Sequence, residues 1–193
     1  MAIGERFPLV LTAAAEGADW AWAELYRDLA PSLLRFLTSQ GAADPEDCLG
    51  ESFIQVVRHM STFEGGETEF RTWVFRIARN RLIDTWRRDK RRPERSDEEV
   101  EIAADRVQQH SDPEPHSFQR AAVEEILAVL TPDQRAVLLL RYLHNFSIEE
   151  TAAIVDKTEG AVRVLQHRAV KTLRRNLPTP SAEVWLATSN VTV

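Results

Sequence analysis

SIEETAAIVDKTEGAVRVLQHRAVKTLRRN, residues 147–176, is two short capped helices in succession. Ser147 followed three residues later by Glu150 is a capping box, in which the hydroxyl accepts a backbone N–H of the first turn and the carboxylate reaches back to the cap. It predicts a helix ending near Val155. Thr158 starts a second helix that runs to about Asn176, in which Val162, Leu165, Ala169 and Leu173 recur at helical spacing as a stripe to be buried. Arg163, His167, Arg168, Lys171 and Arg174 fall elsewhere on its surface. The small Ala152 and Ala153 let the two helices approach closely. Such a pair, with its second member basic, is a helix-turn-helix, and arginines on the second helix suit both guanine edges and phosphates of a major groove.

Working upstream, Thr131-Pro132-Asp133-Gln134 is another capping box with proline at the first helical position, and it starts a helix through Val137, Leu138, Leu140 and Tyr142. Val123, Ile126, Leu127 and Leu130 precede it at helical spacing. Residues 118–178 therefore make one small helical domain. From Pro93 to Ser117 eight Asp or Glu residues accompany two Arg and three Pro, with no sustained apolar period. This composition predicts a flexible acidic linker over 94–117. The tail 179–193 carries no motif.

Residues 1–93 read as a second helical domain, so the chain is expected to be all-α. Asp19 is positioned to cap a helix through Leu25, Leu29, Leu33, Leu34 and Leu37, ended by Gly41. Asp44-Pro45-Glu46-Asp47 is a strong start signal, because Asp caps, Pro suits the first position and acidic groups favour the positive end of the helix dipole. The helix it opens is expected to bury Leu49, Phe53, Val56, Val57 and Met60. A Glu64-Gly65-Gly66-Glu67 loop then leads to a segment whose apolar stripe is Phe70, Trp73, Val74, Ile77 and Ile83. Its other side is basic: from Arg71 to Arg92 nine Arg or Lys residues stand against only Asp84 and Asp89.

The whole chain has 193 residues and a formal charge of -6, so any hold on phosphate must come from these local patches rather than from a general cationic character. The single cysteine, Cys48, cannot form an internal disulfide, and no Cys/His cluster has metal-ligand spacing. No cofactor or metal is expected. The longest apolar runs are far too short to span a bilayer, so no membrane insertion is expected and a reducing cytoplasm is the simplest location. An enzyme has little support, since Cys48 has no placed base, His110 and His116 fall in the linker, and no Gly-rich phosphate loop occurs. A free-standing repressor or activator with an N-terminal sensor domain stays open; tight, salt-sensitive duplex binding by a symmetric dimer would favour it.

Four stretches together carry a family resemblance: Asp44-Pro45-Glu46-Asp47 with Phe53, the Thr62-Phe63-Glu64-Gly65 turn, the run FRTWVFRIARN over 70–80, and the helix-turn-helix ending Gln166-His167-Arg168-Ala169. In that combination and order the chain resembles an extracytoplasmic-function (ECF) sigma factor of bacterial RNA polymerase. The resemblance implies a non-catalytic subunit that binds core polymerase and directs promoter-specific initiation, with a region 2 domain over 1–93 opening the −10 element and a region 4 domain over 118–178 reading the −35 element.

By the same resemblance Asp47, Glu51, Ile54 and Gln55 would touch the clamp of the largest polymerase subunit, and the C-terminal domain would meet the flap of the second-largest. The loop from Phe63 to Glu69 would receive a flipped −10 base. Asn80 and Asp84 would read neighbouring non-template bases while Arg79, Arg87 and Arg88 hold phosphates. Arg163, His167 and Arg168 would meet the −35 duplex, with Thr158 and Lys171 on its backbone. An anti-sigma factor is an implied partner beside polymerase and promoter DNA. Where the family often has Leu-Gly in the turn, this chain has Val155-Asp156, and Asp tolerates the left-handed turn. Val164-Leu165-Gln166 also departs from the common run, leaving open which of Leu165 and Gln166 faces DNA.

Overall fold

The computed structural model describes residues 3–91 and 126–176. Every element among them is helical. An N-terminal group holds α1 (Phe7–Ala15), α2 (Asp19–Gln40), α3 (Pro45–His59) and α4 (Glu67–Arg91); a C-terminal group holds α5 (Pro132–Leu138), α6 (Ile148–Val155) and α7 (Glu159–Asn176). The expected linker 94–117, Val123 of the helical stretch expected after it, and the tail 179–193 lie outside the described residues.

The start and stop signals form as their chemistry dictates. The Asp44 carboxylate accepts the Asp47 N–H at 2.8 Å, and both capping boxes close in both directions. Gly41 ends α2 at φ 83°, a left-handed conformation that costs a residue without Cβ nothing. Asp19 is a correction: it is the first residue of α2, Ala18 flanks it, and no side chain caps that end. Asp19 therefore acts only through its charge at the positive end of the helix. The helix from Pro132 keeps α geometry only to Leu138 and then widens into a π turn over Leu139–Leu143.

Two buried stripes differ from the sequence pattern. On α3 the buried face holds Cys48, Leu49, Ser52, Phe53 and Val56, followed by Met60, while Val57 is 52% exposed. On α4 the buried set is Phe70, Val74, Phe75, Ala78, Arg79 and Leu82, whereas Trp73, Ile77 and Ile83 are only half-buried. That second shift has a cause outside α4. The two groups, expected on a tether, pack against each other: α6 lies along α4, and α5 and the π turn meet α2.

Phe75 sits at the centre of this junction, its ring 5.6 Å from Phe36 in the N-terminal group and 5.0 and 4.9 Å from His144 and Phe146 in the C-terminal one. His144 is buried there, and its Nε2 has no hydrogen-bond partner among the described residues. Burial, then the positive charges of Arg35 and Arg71, push its pKa down from 6.5 to about 4. An imidazole that takes a proton more easily when released than when packed stabilises the fold fully only above pH 6.5. That contribution is lost as pH falls from 6.5 toward 4. Between pH 7 and pH 5 the loss from this group is about 2 kcal/mol. Urea titrations at the two pH values should show it, and His144→Phe should remove that part of the slope while leaving stability at pH 7 unchanged or higher.

Candidate nucleic-acid interface

Three surfaces carry the residues singled out from the sequence. The first is the edge between α3 and α4. Four consecutive turns of α4 bring Trp73, Arg76 with Ile77, Asn80 and Asp84 into line, and Gln55, His59 and Thr62 face them from α3 and the turn after it. Between them lies a pocket of about 470 Å³ with a mixed polar and apolar lining. Asn80 and Asp84 are exposed at its edge. Arg87 lies 3.6 Å from Asp84, an exposed pair that water screens and that exchanges freely for other partners.

The loop before α4 follows directly on Thr62, a residue of the pocket lining. Phe63 is half-buried, with its ring 5.1 Å from both Phe70 and Trp73 and inclined at only 30° to Trp73. Gly65 holds φ 145°, and a Cβ there would lie 2.9 Å from the Cβ of Glu69, so the turn accepts no side chain. The Glu69 carboxylate accepts the Gly66 N–H at 3.0 Å, and Glu67 accepts the N–H groups of Ile3 and Gly4 at 2.6 and 2.9 Å. The loop is thus pinned where it enters α4, and it is shorter than expected, because α4 already begins at Glu67.

The basic residues of α4 have unequal freedom. Arg87 and Arg88 are exposed, Arg88 donating to the Thr85 hydroxyl at 3.2 Å. Arg79, expected on the open basic side, is buried instead, with its guanidinium donating to Asp133 of α5 at 2.7 Å. Glu51 is likewise committed: it pairs with Arg81 and lies 3.8 Å from Arg88, a tie that fixes α3 on α4.

The second surface is the outer side of α3 and α2. Asp47 is exposed and Ile54 is 51% exposed, whereas Gln55 turns toward the pocket beside Asn80. Beside Ile54 an apolar groove of about 710 Å³ runs between the helices, lined by Trp22, Tyr26, Ala30, Phe53 and Val57. The sequence pattern concealed this groove because it assigned Val57 to the core; Tyr26, 48% exposed with its ring 4.7 Å from Phe53, was the signal available.

The third surface is α7. Asp156 takes φ 54° between α6 and α7, the left-handed turn anticipated there. Thr158 Oγ1 accepts the Ala161 N–H at 3.2 Å and so serves as the cap of α7. Val162, Ala169 and Leu173 are buried, and Leu165 is half-buried. Gln166 turns back and donates to the Tyr142 hydroxyl at 2.6 Å. Arg163, Val164, His167, Arg168 and Lys171 are left as the exposed face, with Arg163 paired to Glu159 one turn away at 2.9 Å.

Burial, then the charge of Glu51, push the Cys48 thiol up to about 11, which removes the thiolate that reactivity needs. No group of three or more His, Cys, Asp or Glu among the described residues is arranged to hold a metal. No described helix is long and apolar enough to cross a membrane.

Comparison with known proteins bears on the same two halves. Residues 22–92 match the family described as Sigma-70 region 2, and residues 120–173 the family described as Sigma-70, region 4. The ECF RNA polymerase sigma factor BldN of Streptomyces coelicolor is 34% identical over 172 residues, 88% of this chain and 65% of BldN. The chain thus spans just under two thirds of that relative's length. The ECF RNA polymerase sigma factor SigX of Bacillus subtilis is 37% identical over 139 residues, 68% of this chain and 70% of SigX. A solved sigma factor, RpoE of Bartonella quintana in complex with the anti-sigma factor NepR, aligns with TM-score 0.60 at 23% identity over 80% of this chain and 94% of that one. At that identity the likeness concerns the fold.

Proposed function

The chain belongs to the ECF group of the sigma-70 family, whose members direct promoter-specific initiation by RNA polymerase, and from that premise we propose how its surfaces divide the work. Residues 1–93 hold the polymerase clamp and read the −10 element; residues 118–178 meet the flap and read the −35 element. The chain is a specificity subunit without catalysis of its own. An anti-sigma factor is a further partner, as it is for the RpoE neighbour.

The observation that carries this reading is the pocket between α3 and α4, with Asn80 and Asp84 on its edge and Arg87 and Arg88 one turn beyond. A base leaving the stack loses a few kcal/mol, so a site that takes it needs a shaped recess, hydrogen-bonding groups and nearby cations for the backbone. An amide offers both a donor and two acceptor lone pairs to a base edge, and a carboxylate offers acceptors. The flipped base enters between this inter-helix recess and the loop from Phe63 to Glu69, with Trp73 as the recess's aromatic wall and the Phe63 ring packed against Trp73. On the outer side, Asp47 and Ile54 beside the apolar groove contact the clamp, while Glu51 and Gln55 hold α3 and the recess in shape. In α7 the duplex meets Arg163, His167 and Arg168, with Thr158 and Lys171 on its phosphates.

Asn80→Ala tests the assignment. In reconstituted holoenzyme it should reduce discrimination at one −10 position by about tenfold, the scale of one bidentate contact. An equal loss with all four bases there would assign Asn80 a structural role instead.

A further inference from the structure

Val164 is an apolar residue on the polar face of α7. The buried stripe of that helix is Val162, Ala169 and Leu173, Leu165 is half-buried, and Gln166 is drawn back to the Tyr142 hydroxyl, yet Val164 is 48% exposed. Its neighbours at helical spacing, His167, Arg168 and Lys171, are exposed as well. A β-branched side chain is a weaker helix former than alanine, and one that packs so little returns nothing to the core. Gly160, one turn earlier, is a second exception on the same face. A Cβ there would meet nothing within 4 Å, so packing does not require the glycine. Helical side chains lean toward the N-terminus, so Val164 leans over a position that carries none. Its methyl groups are therefore open on the side of the helix end that enters a groove most deeply.

We propose that Val164 is a specificity-determining residue that reads a thymine of the −35 element through its 5-methyl group. The proposal rests on the reading of α7 as the −35 surface. In the major groove thymine shows an O4 acceptor and that methyl group, and cytosine, adenine and guanine show no methyl. Arginine, histidine and lysine answer acceptors and phosphates, whereas a methyl group is answered by apolar surface. Val164 is the large apolar side chain that α7 exposes. In a helix its χ1 is held almost entirely to one rotamer, so the two methyl groups present a fixed shape. Contact with thymine removes apolar surface of both partners from water, a gain that no other base returns. Where the run Val164-Leu165-Gln166 offered Leu165 and Gln166 as candidates for the groove, the residue before them takes the place.

Deoxyuridine in place of thymidine is the test, since it keeps the base pair and deletes only the methyl group. On a promoter that the reconstituted holoenzyme uses, each thymine of the −35 element is replaced in turn on either strand, and holoenzyme binding is measured by competition. At one thymine the swap should weaken binding by wild-type holoenzyme about threefold to fourfold, the worth of one buried methyl group. Val164→Ala should bind the thymine promoter several-fold more weakly and be indifferent to the swap at that position. Val164→Thr, which keeps one methyl group, should retain part of the sensitivity. Alanine is the better helix former at an exposed site, so the first variant keeps its fold. Undiminished sensitivity in Val164→Ala holoenzyme overturns the proposal, as does wild-type indifference at every thymine or an upstream element made only of G·C pairs. Failure of the −35 reading would show separately, as initiation that neither base-pair changes in the upstream element nor Arg163→Ala alters.

Discussion

Replacing Phe75 with alanine is expected to lower the free energy of unfolding by about 3–5 kcal/mol, the range for deleting a fully buried aromatic ring. Phe75 has no exposed surface, and its ring meets Phe36 on α2 and both His144 and Phe146 from the other half. Offset and edge-on ring pairs add to the area term, so truncation removes specific contacts together with the burial. Single domains hold roughly 5–15 kcal/mol in total, so the substitution consumes a large share of it. Urea unfolding followed by helical circular dichroism measures the change. A loss below about 1 kcal/mol would mean that the ring lies outside any close-packed junction, because such a cost matches partly exposed sites.

Arg163→Ala should have the second large effect, and on a different property. The side chain is exposed and, among the described residues, pairs with Glu159, itself exposed, so removing the pair changes stability by less than about 0.5 kcal/mol. Its worth lies in the groove. One bidentate arginine–guanine contact discriminates by about 1–3 kcal/mol, so initiation that depends on the −35 element should fall about five- to 150-fold. Holoenzyme assembly, measured by co-elution with core polymerase, should be intact. Loss of assembly instead would put Arg163 on a protein interface.

Helix identity was legible wherever a local signal sufficed. Asp44, Thr131 and Ser147 each satisfy backbone donors a few residues away, and such chemistry depends on nothing distant. The left-handed Asp156 belongs to the same class. α1 was less visible, since its apolar and alanine-rich run lacks a clear period; Pro8 in its first turn was the available marker. The π turn had no local signal at all.

What the sequence concealed is tertiary. Phe75 and Arg79 look like one more apolar residue and one more cation on a basic helix, and only the approach of α5 and α6 makes them a junction. The same holds for Gln166, whose direction depends on Tyr142, 24 residues away in the chain. Glu51 resembled a free acidic contact for a partner because Arg81, which holds it, lies on a different helix. Val57 resembled core because periodicity alone cannot tell the rim of an apolar groove from its floor. Exposure of the candidate residues Asn80, Asp84, Arg163, His167 and Arg168 thus followed from helical pattern, whereas the burial and pairing of residues shared between helices did not.

Mapping transcription start sites with core polymerase alone and with core polymerase plus this protein tests whether two weak DNA-reading surfaces become one promoter reader when a large enzyme sets their spacing. New start sites should appear, each preceded by two short elements at constant separation, with Arg163→Ala weakening dependence on the upstream element and Asn80→Ala altering preference within the downstream one. A start-site map identical to that of core polymerase alone, obtained with protein that binds duplex promoter tightly by itself, would contradict it.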